Sequence, residues 1–164
     1  MTFLPRGGAA SRHSRRAAAT LGAVSAGLLV LSACDTPTPI ATLTLGKDSV
    51  HTEAECYEDL DQAEVQKCVK EKPSERIELP QGETLRVGVD PEVADTGWSL
   101  WIDGEPATPQ YKKTYYTFPN AGDLFAAQQG QAPQKSLTIS VVEQNKEGTE
   151  FKGVWNFTLE NPDA

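Results

Sequence analysis

Phe151, Gly153, Trp155, Phe157 and Leu159 alternate with Lys152, Val154, Asn156, Thr158 and Glu160, and this period of two narrows most what the chain can become. Successive side chains of a strand leave on opposite faces, so one set meets a core and the other meets water. Leu137, Ile139 and Val141 alternate in the same way with polar neighbours, and Leu85, Val87 and Val89 with Thr84, Arg86 and Gly88. Shorter runs of similar character lie at 40–45, 49–56, 76–79, 97–103 and 111–118. Turn-forming residues separate them, at Gly46-Lys47-Asp48, Pro80-Gln81-Gly82, Asp103-Gly104 and Asn145-Lys146-Glu147-Gly148. The pattern predicts an all-β fold, an antiparallel immunoglobulin-like sandwich of seven or eight strands across residues 40–164. A closed barrel of lipocalin type uses a similar strand count and is the alternative. A short second helix is expected over 120–129, with Asn120 as cap and Gly130 as stop.

The amino end is of another kind. Arg6, Arg12, Arg15 and Arg16 precede an apolar or small run from residue 17 to 31, and no acid occurs before Asp35. About 15 residues at ~1.5 Å each fall short of a ~30 Å hydrocarbon core, so the layout is that of a signal peptide over residues 1–33. It ends in Leu31-Ser32-Ala33-Cys34, which resembles the lipobox of bacterial prolipoproteins. That resemblance implies a diacylglyceryl group on the Cys34 thiol, cleavage just before it, and a protein held at the outer face of the cell membrane. Two acyl chains anchor stably where one binds only marginally. Ser14-Arg15-Arg16 also resembles a twin-arginine export signal, although plain alanines follow it. Asp35-Thr36-Pro37-Thr38-Pro39 reads as an extended tether over 34–39, with Thr36 and Thr38 as accessible sites for O-glycosylation.

With Cys34 assigned to lipid, Cys56 and Cys68 have only each other, in a compartment where disulfides persist. Two thiolates without a second Cys or His pair make a poor tetrahedral metal site. Inside that loop a helix is expected. Glu58, Asp59 and Asp61 stand at its start, Lys67, Lys70 and Lys72 at its end, and Pro73 stops it. Val65, Cys68 and Val69 give it one apolar stripe, and the disulfide pins it to the preceding strand.

Charge excludes some partners. The whole chain carries −8, and losing the four leader arginines leaves 11 Lys plus Arg against 23 Asp plus Glu, or −12. Such a chain is repelled by nucleic acid and by an anionic lipid surface, which favours a body held off the membrane. The mature sequence is similar to small lipoproteins of high-GC Gram-positive bacteria whose domain has no assigned role. The residues that carry this are the lipobox, the Thr-Pro spacer, Leu79-Pro80-Gln81-Gly82, the stretch from Asp90-Pro91-Glu92-Val93-Ala94-Asp95 to Trp98, and Val154-Trp155-Asn156-Phe157. The resemblance implies location and fold, and no activity.

Signs of catalysis are few. His13 belongs to the leader, so His51 is the one histidine of the mature chain, and Met1 is the one methionine of the whole chain. That inventory offers no soft copper site, no Gly-x-Ser-x-Gly elbow and no phosphate loop. His51, Glu53 and Glu55 share a strand face by the period of two, and Asp90, Glu92 and Asp95 cluster in a turn. Both sets read first as solvated acid, and no metal or cofactor is expected.

Aromatic residues give the positive hint of binding. With Trp98, Leu100 and Ile102 facing a core, Trp101 faces outward, and Tyr115 opposes Tyr116 and Phe118. Trp101 and Tyr115 are the candidate surface for a protein or wall polymer, against the alternative that Trp101 packs under 120–129 or inside the second sheet. The function expected is a non-catalytic binding or accessory module of the cell envelope. A structural or stress-related envelope protein comes second, and an enzyme acting through paired carboxylates third.

Overall fold

The computed structural model describes residues 37–126 and 133–164. The leader, Cys34, Thr36 and the end of the expected second helix lie outside the described residues.

Among the described residues the chain is mostly strand: β1 (Ile40–Leu45), β2 (Asp48–Glu53), β3 (Cys56–Leu60), β4 (Glu75–Glu78), β5 (Leu85–Val89), β6 (Trp98–Ile102), β7 (Glu105–Pro106), β8 (Tyr115–Phe118), β9 (Ser136–Gln144) and β10 (Phe151–Glu160). Two short α-helices, α1 (Gln62–Cys68) and α2 (Pro91–Thr96), and a 3-10 turn at Ala121–Phe125 complete it. The strands form two sheets. One has the order β2-β1-β5-β8; the other runs β3-β10-β9-β6-β7, with β4 also on β10. Every pairing is antiparallel except β4 on β10. The sheets do not close on each other, so the barrel alternative is set aside.

The two sheets share one core. Leu43 and Val87 come to it from the first, and Leu100, Ile139, Val141, Trp155 and Phe157 from the second. Both long strands follow their alternation over most of their length: Trp155, Phe157 and Leu159 point inward, and Val154 and Asn156 point to the opposite face, where a bulge between Phe151 and Gly153 also turns Phe151, expected in the inward set. That opposite face is not open to water. Helix α1 lies on it, and Val65, Cys68 and Val69 pack with Val142, Phe151 and Val154 in a second, smaller core. A buried polar bridge ties the helix down there: Ser140 Oγ donates to Asn156 Oδ1 at 2.7 Å, and Asn156 Nδ2 donates to the Cys68 carbonyl at 2.7 Å. The bridge gives a late carbonyl of the helix a partner that a short helix cannot supply itself.

Helix α1 is shorter than its charges suggested. Asp61 caps it through Oδ1, which accepts from the Ala63 and Glu64 amides at 2.8 and 2.9 Å, and Glu64 Oε2 accepts from the Asp61 amide at 2.8 Å. This capping box fixes the start at Gln62. Glu58 and Asp59, expected in its first turn, instead belong to β3 with φ of 72° and 47°. The Cys56–Cys68 disulfide joins the first residue of β3 to the last of α1, with the Cα atoms 6.2 Å apart.

Four further expectations are corrected. The run 49–56 is broken at Ala54 and Glu55, so β2 ends at Glu53 and Cys56 opens β3. Asp90 to Asp95 is not a turn but the entry to α2, with Pro91 at its first position, where a missing N–H costs nothing. Asn120 makes no side-chain cap bond, and the turn that follows it is 3-10. Nor is all of 34–39 a free tether. Thr38 Oγ1 accepts from the Ala54 amide at 3.0 Å, and Pro39 is buried with its carbonyl accepting from Trp155 Nε1 at 2.7 Å.

Candidate functional site

Trp101 leaves β6 on the face opposite Trp98 and Leu100, as the alternation requires, yet it is only 3% exposed. Its ring sits edge-on to Phe151, with centroids 6.2 Å apart, and its indole N–H donates to Ser99 Oγ at 3.1 Å. The cover is α1, more than thirty residues earlier in the chain, and among the described residues the segment after Asn120 takes no part in it. Trp101 is therefore a core residue, and the proposed surface loses it.

Tyr115 is 50% exposed on the outer face of the four-stranded sheet. The strand registers set a row across that face: His51 opposite Thr42, Thr42 opposite Gly88, and Gly88 opposite Tyr115. The next row holds Ser49, Thr44, Arg86 and Thr117, in which Thr44 Oγ1 and Ser49 Oγ are 3.2 Å apart. Gly88 presents no side chain next to Tyr115, and the neighbouring positions of the face carry hydroxyls. Ile40, 38% exposed, lies on the same face beyond Thr42. Behind this face, Tyr116 and Phe118 point inward and stack with Tyr111, at 4.0 Å between Tyr111 and Tyr116. This inner aromatic cluster packs behind the strand that carries Tyr115.

The acidic sets do not gather. His51 and Glu53 lie on β2, and Glu55 lies beyond its end. Asp90 Oδ2 accepts from the Ile40 amide at 2.8 Å, which turns it away from Glu92 and Asp95. Among the described residues no group of three His, Cys, Asp or Glu side chains could hold a metal ion.

One acid is unlike the rest. Glu143 is fully buried, and neither carboxyl oxygen has a hydrogen-bond partner. By the alternation of β9 it shares the inter-sheet side with Val141, and it sits between Trp98 of β6 and Gly153 of β10. Lys152 Nζ stands 3.9 Å away and 5.4 Å from the centre of the Tyr57 ring. Burial pushes the Glu143 carboxyl above its ordinary value, the Thr96 hydroxyl and the Lys152 ammonium offset part of this, and Glu92 adds to the rise. Beside it opens a cleft of about 550 Å³ whose walls include Asp59, Asp61, Thr96, Glu150 and Lys152. At the far end of the sheets a smaller apolar cavity of about 260 Å³ reaches Leu85, Leu100, Ile102, Phe118 and Ile139. Nothing in the sequence pattern marked Glu143 among 23 acids.

Comparison with protein families, with characterised proteins and with solved structures finds no match to this chain.

Proposed function

We propose that this chain is an extracytoplasmic lipoprotein, anchored through Cys34 to the outer face of the cell membrane, whose immunoglobulin-like sandwich is a non-catalytic binding module for a wall glycan. The leader and lipobox residues support the address, and the two sheets over one core support the sandwich. One observation carries the binding reading: the exposed Tyr115 ring beside Gly88, in a flat field of Thr42, Thr44, Ser49 and Thr117 hydroxyls with Arg86 among them. A sugar ring offers a C–H face to an aromatic plane and hydroxyls to donors and acceptors around it. A protein partner would ask for a larger desolvated apolar centre than this face provides.

Two experiments test the two halves. Cys34→Ala releases the protein from the membrane fraction into the medium; a variant that stays with the membrane rules out the anchor. Tyr115→Ala, in co-sedimentation with insoluble wall polymer, weakens retention by about tenfold, ~1.4 kcal/mol. Its stability stays within about 0.5 kcal/mol of wild type, since half the ring already faces water. Equal retention of the two proteins removes Tyr115 from the proposal. The burial of Trp101 favours the second reading, an envelope protein without a small ligand, and equal retention would decide for it.

A further inference from the structure

Helix α2 crosses from β5 of one sheet to β6 of the other and closes one end of the fold over Glu143. It is weakly built. It has six residues, its N-cap Asp90 makes no side-chain bond to it, and Gly97 ends it at φ 112°. Two buried side chains, Val93 and Ala94, hold it to the core. Such a segment opens at a small fraction of the cost of global unfolding.

The groups that face Glu143 come from four elements. Thr96 and Glu92 belong to α2, Lys152 to β10, Tyr57 to β3, and the indole of Trp98 to β6. Thr96 Oγ1 already gives its one proton to the Glu92 carbonyl at 3.3 Å. That proton is the only one it has, so it can serve either the Glu92 carbonyl or the Glu143 carboxylate, whose ionised form it favours. A protonated Glu143 makes no claim on that proton and leaves the bond from Thr96 to the Glu92 carbonyl to brace the helix. An ionised Glu143 draws the Thr96 proton away from the helix and faces the Glu92 carboxylate. Lys152 answers it only in part, from 3.9 Å and with 42% of its side chain in water.

We infer that Glu143 and helix α2 form a proton-controlled latch, closed while the buried carboxyl is protonated and loosened as it ionises. The sign follows from burial. A carboxyl whose folded value lies above its unfolded one, ~4.3, contributes stability that is whole below the unfolded value and is lost as pH rises through the folded one. The latch is shut in acid and slackens toward neutral and alkaline pH. What it uncovers is the end of the core beside the acidic cleft, a region separate from the Tyr115 face.

Hydrogen exchange of the full chain tests it at about pH 5 and about pH 8, with protection normalised to the chemical exchange rate at each pH. The amides of Val93, Ala94 and Gly97, which donate to Asp90, Asp90 and Val93 carbonyls, report the helix. Their protection falls by about tenfold between the two conditions in wild type, a change of ~1.4 kcal/mol in the opening equilibrium. It changes less than about twofold in Glu143→Gln, where nothing titrates. Lys152→Met widens the wild-type difference and Glu92→Gln narrows it. The carbon-13 shift of the Glu143 carboxyl in wild type needs no variant, and its titration coincides with the change in protection. Equal protection at both pH values, or a titration of Glu143 with no change at α2, overturns the latch.

Discussion

Trp101→Ala lowers the stability of the fold by about 3–5 kcal/mol, the range for truncating a buried tryptophan. The indole is the floor of the smaller core, touching Phe151 edge-on and lying among the residues that α1 covers. Its loss opens a cavity between helix and sheet and takes the indole donor from Ser99, which then keeps only the bond from Gln144 Nε2 at 3.1 Å. Denaturant unfolding followed by circular dichroism measures the cost. A loss below about 1 kcal/mol would mean that the ring stands in water after all. If Tyr115 carries the proposed glycan contact, folded protein with this change keeps its retention on wall polymer, because Tyr115 lies on the other sheet.

Replacing Cys56 and Cys68 by alanine costs about 3 kcal/mol, the loop-closure value for a crosslink of this span. The bond ties the end of α1 to the start of β3, and both flank the small core. Hydrogen exchange should rise first in α1 and β3 and leave β5 protected. The same helix is held by the disulfide and by Trp101, so the triple variant loses less than the two separate losses added. Full additivity would show that the crosslink acts elsewhere. No loss on reduction would show that it adds nothing to the fold.

Legibility in the sequence followed the reach of each signal. Strands β1 and β10 match their expected bounds because alternation runs through both, interrupted in β10 only by the bulge that turns Phe151 to the other face. Strand β3 hid behind Glu58-Asp59, whose acids suit a helix start and whose positive φ breaks the extended pattern. Helix α2 has six residues, under two turns, so no apolar period could establish itself. Trp101 shows the limit most plainly. A period of two says which face a side chain leaves by, and the orientation is as expected. Whether that face meets water depends on α1, and no local pattern in β6 registers a helix that arrives from elsewhere in the chain. Tyr115 needed no such cover, so pattern and exposure agree there. Glu143 is the converse case, an acid distinguished by its surroundings alone.

The bond from the Trp155 indole to the Pro39 carbonyl has a mechanical meaning. Tension from the amino-terminal side enters the fold at Ile40, the first residue of a strand with a neighbour on each side. It acts along that strand, so both ladders bear it together in shear instead of unzipping one bond at a time. The indole grips the chain just ahead of them and spreads the load into the other sheet. A fold built this way withstands a pull on the chain ahead of Pro39 without coming apart.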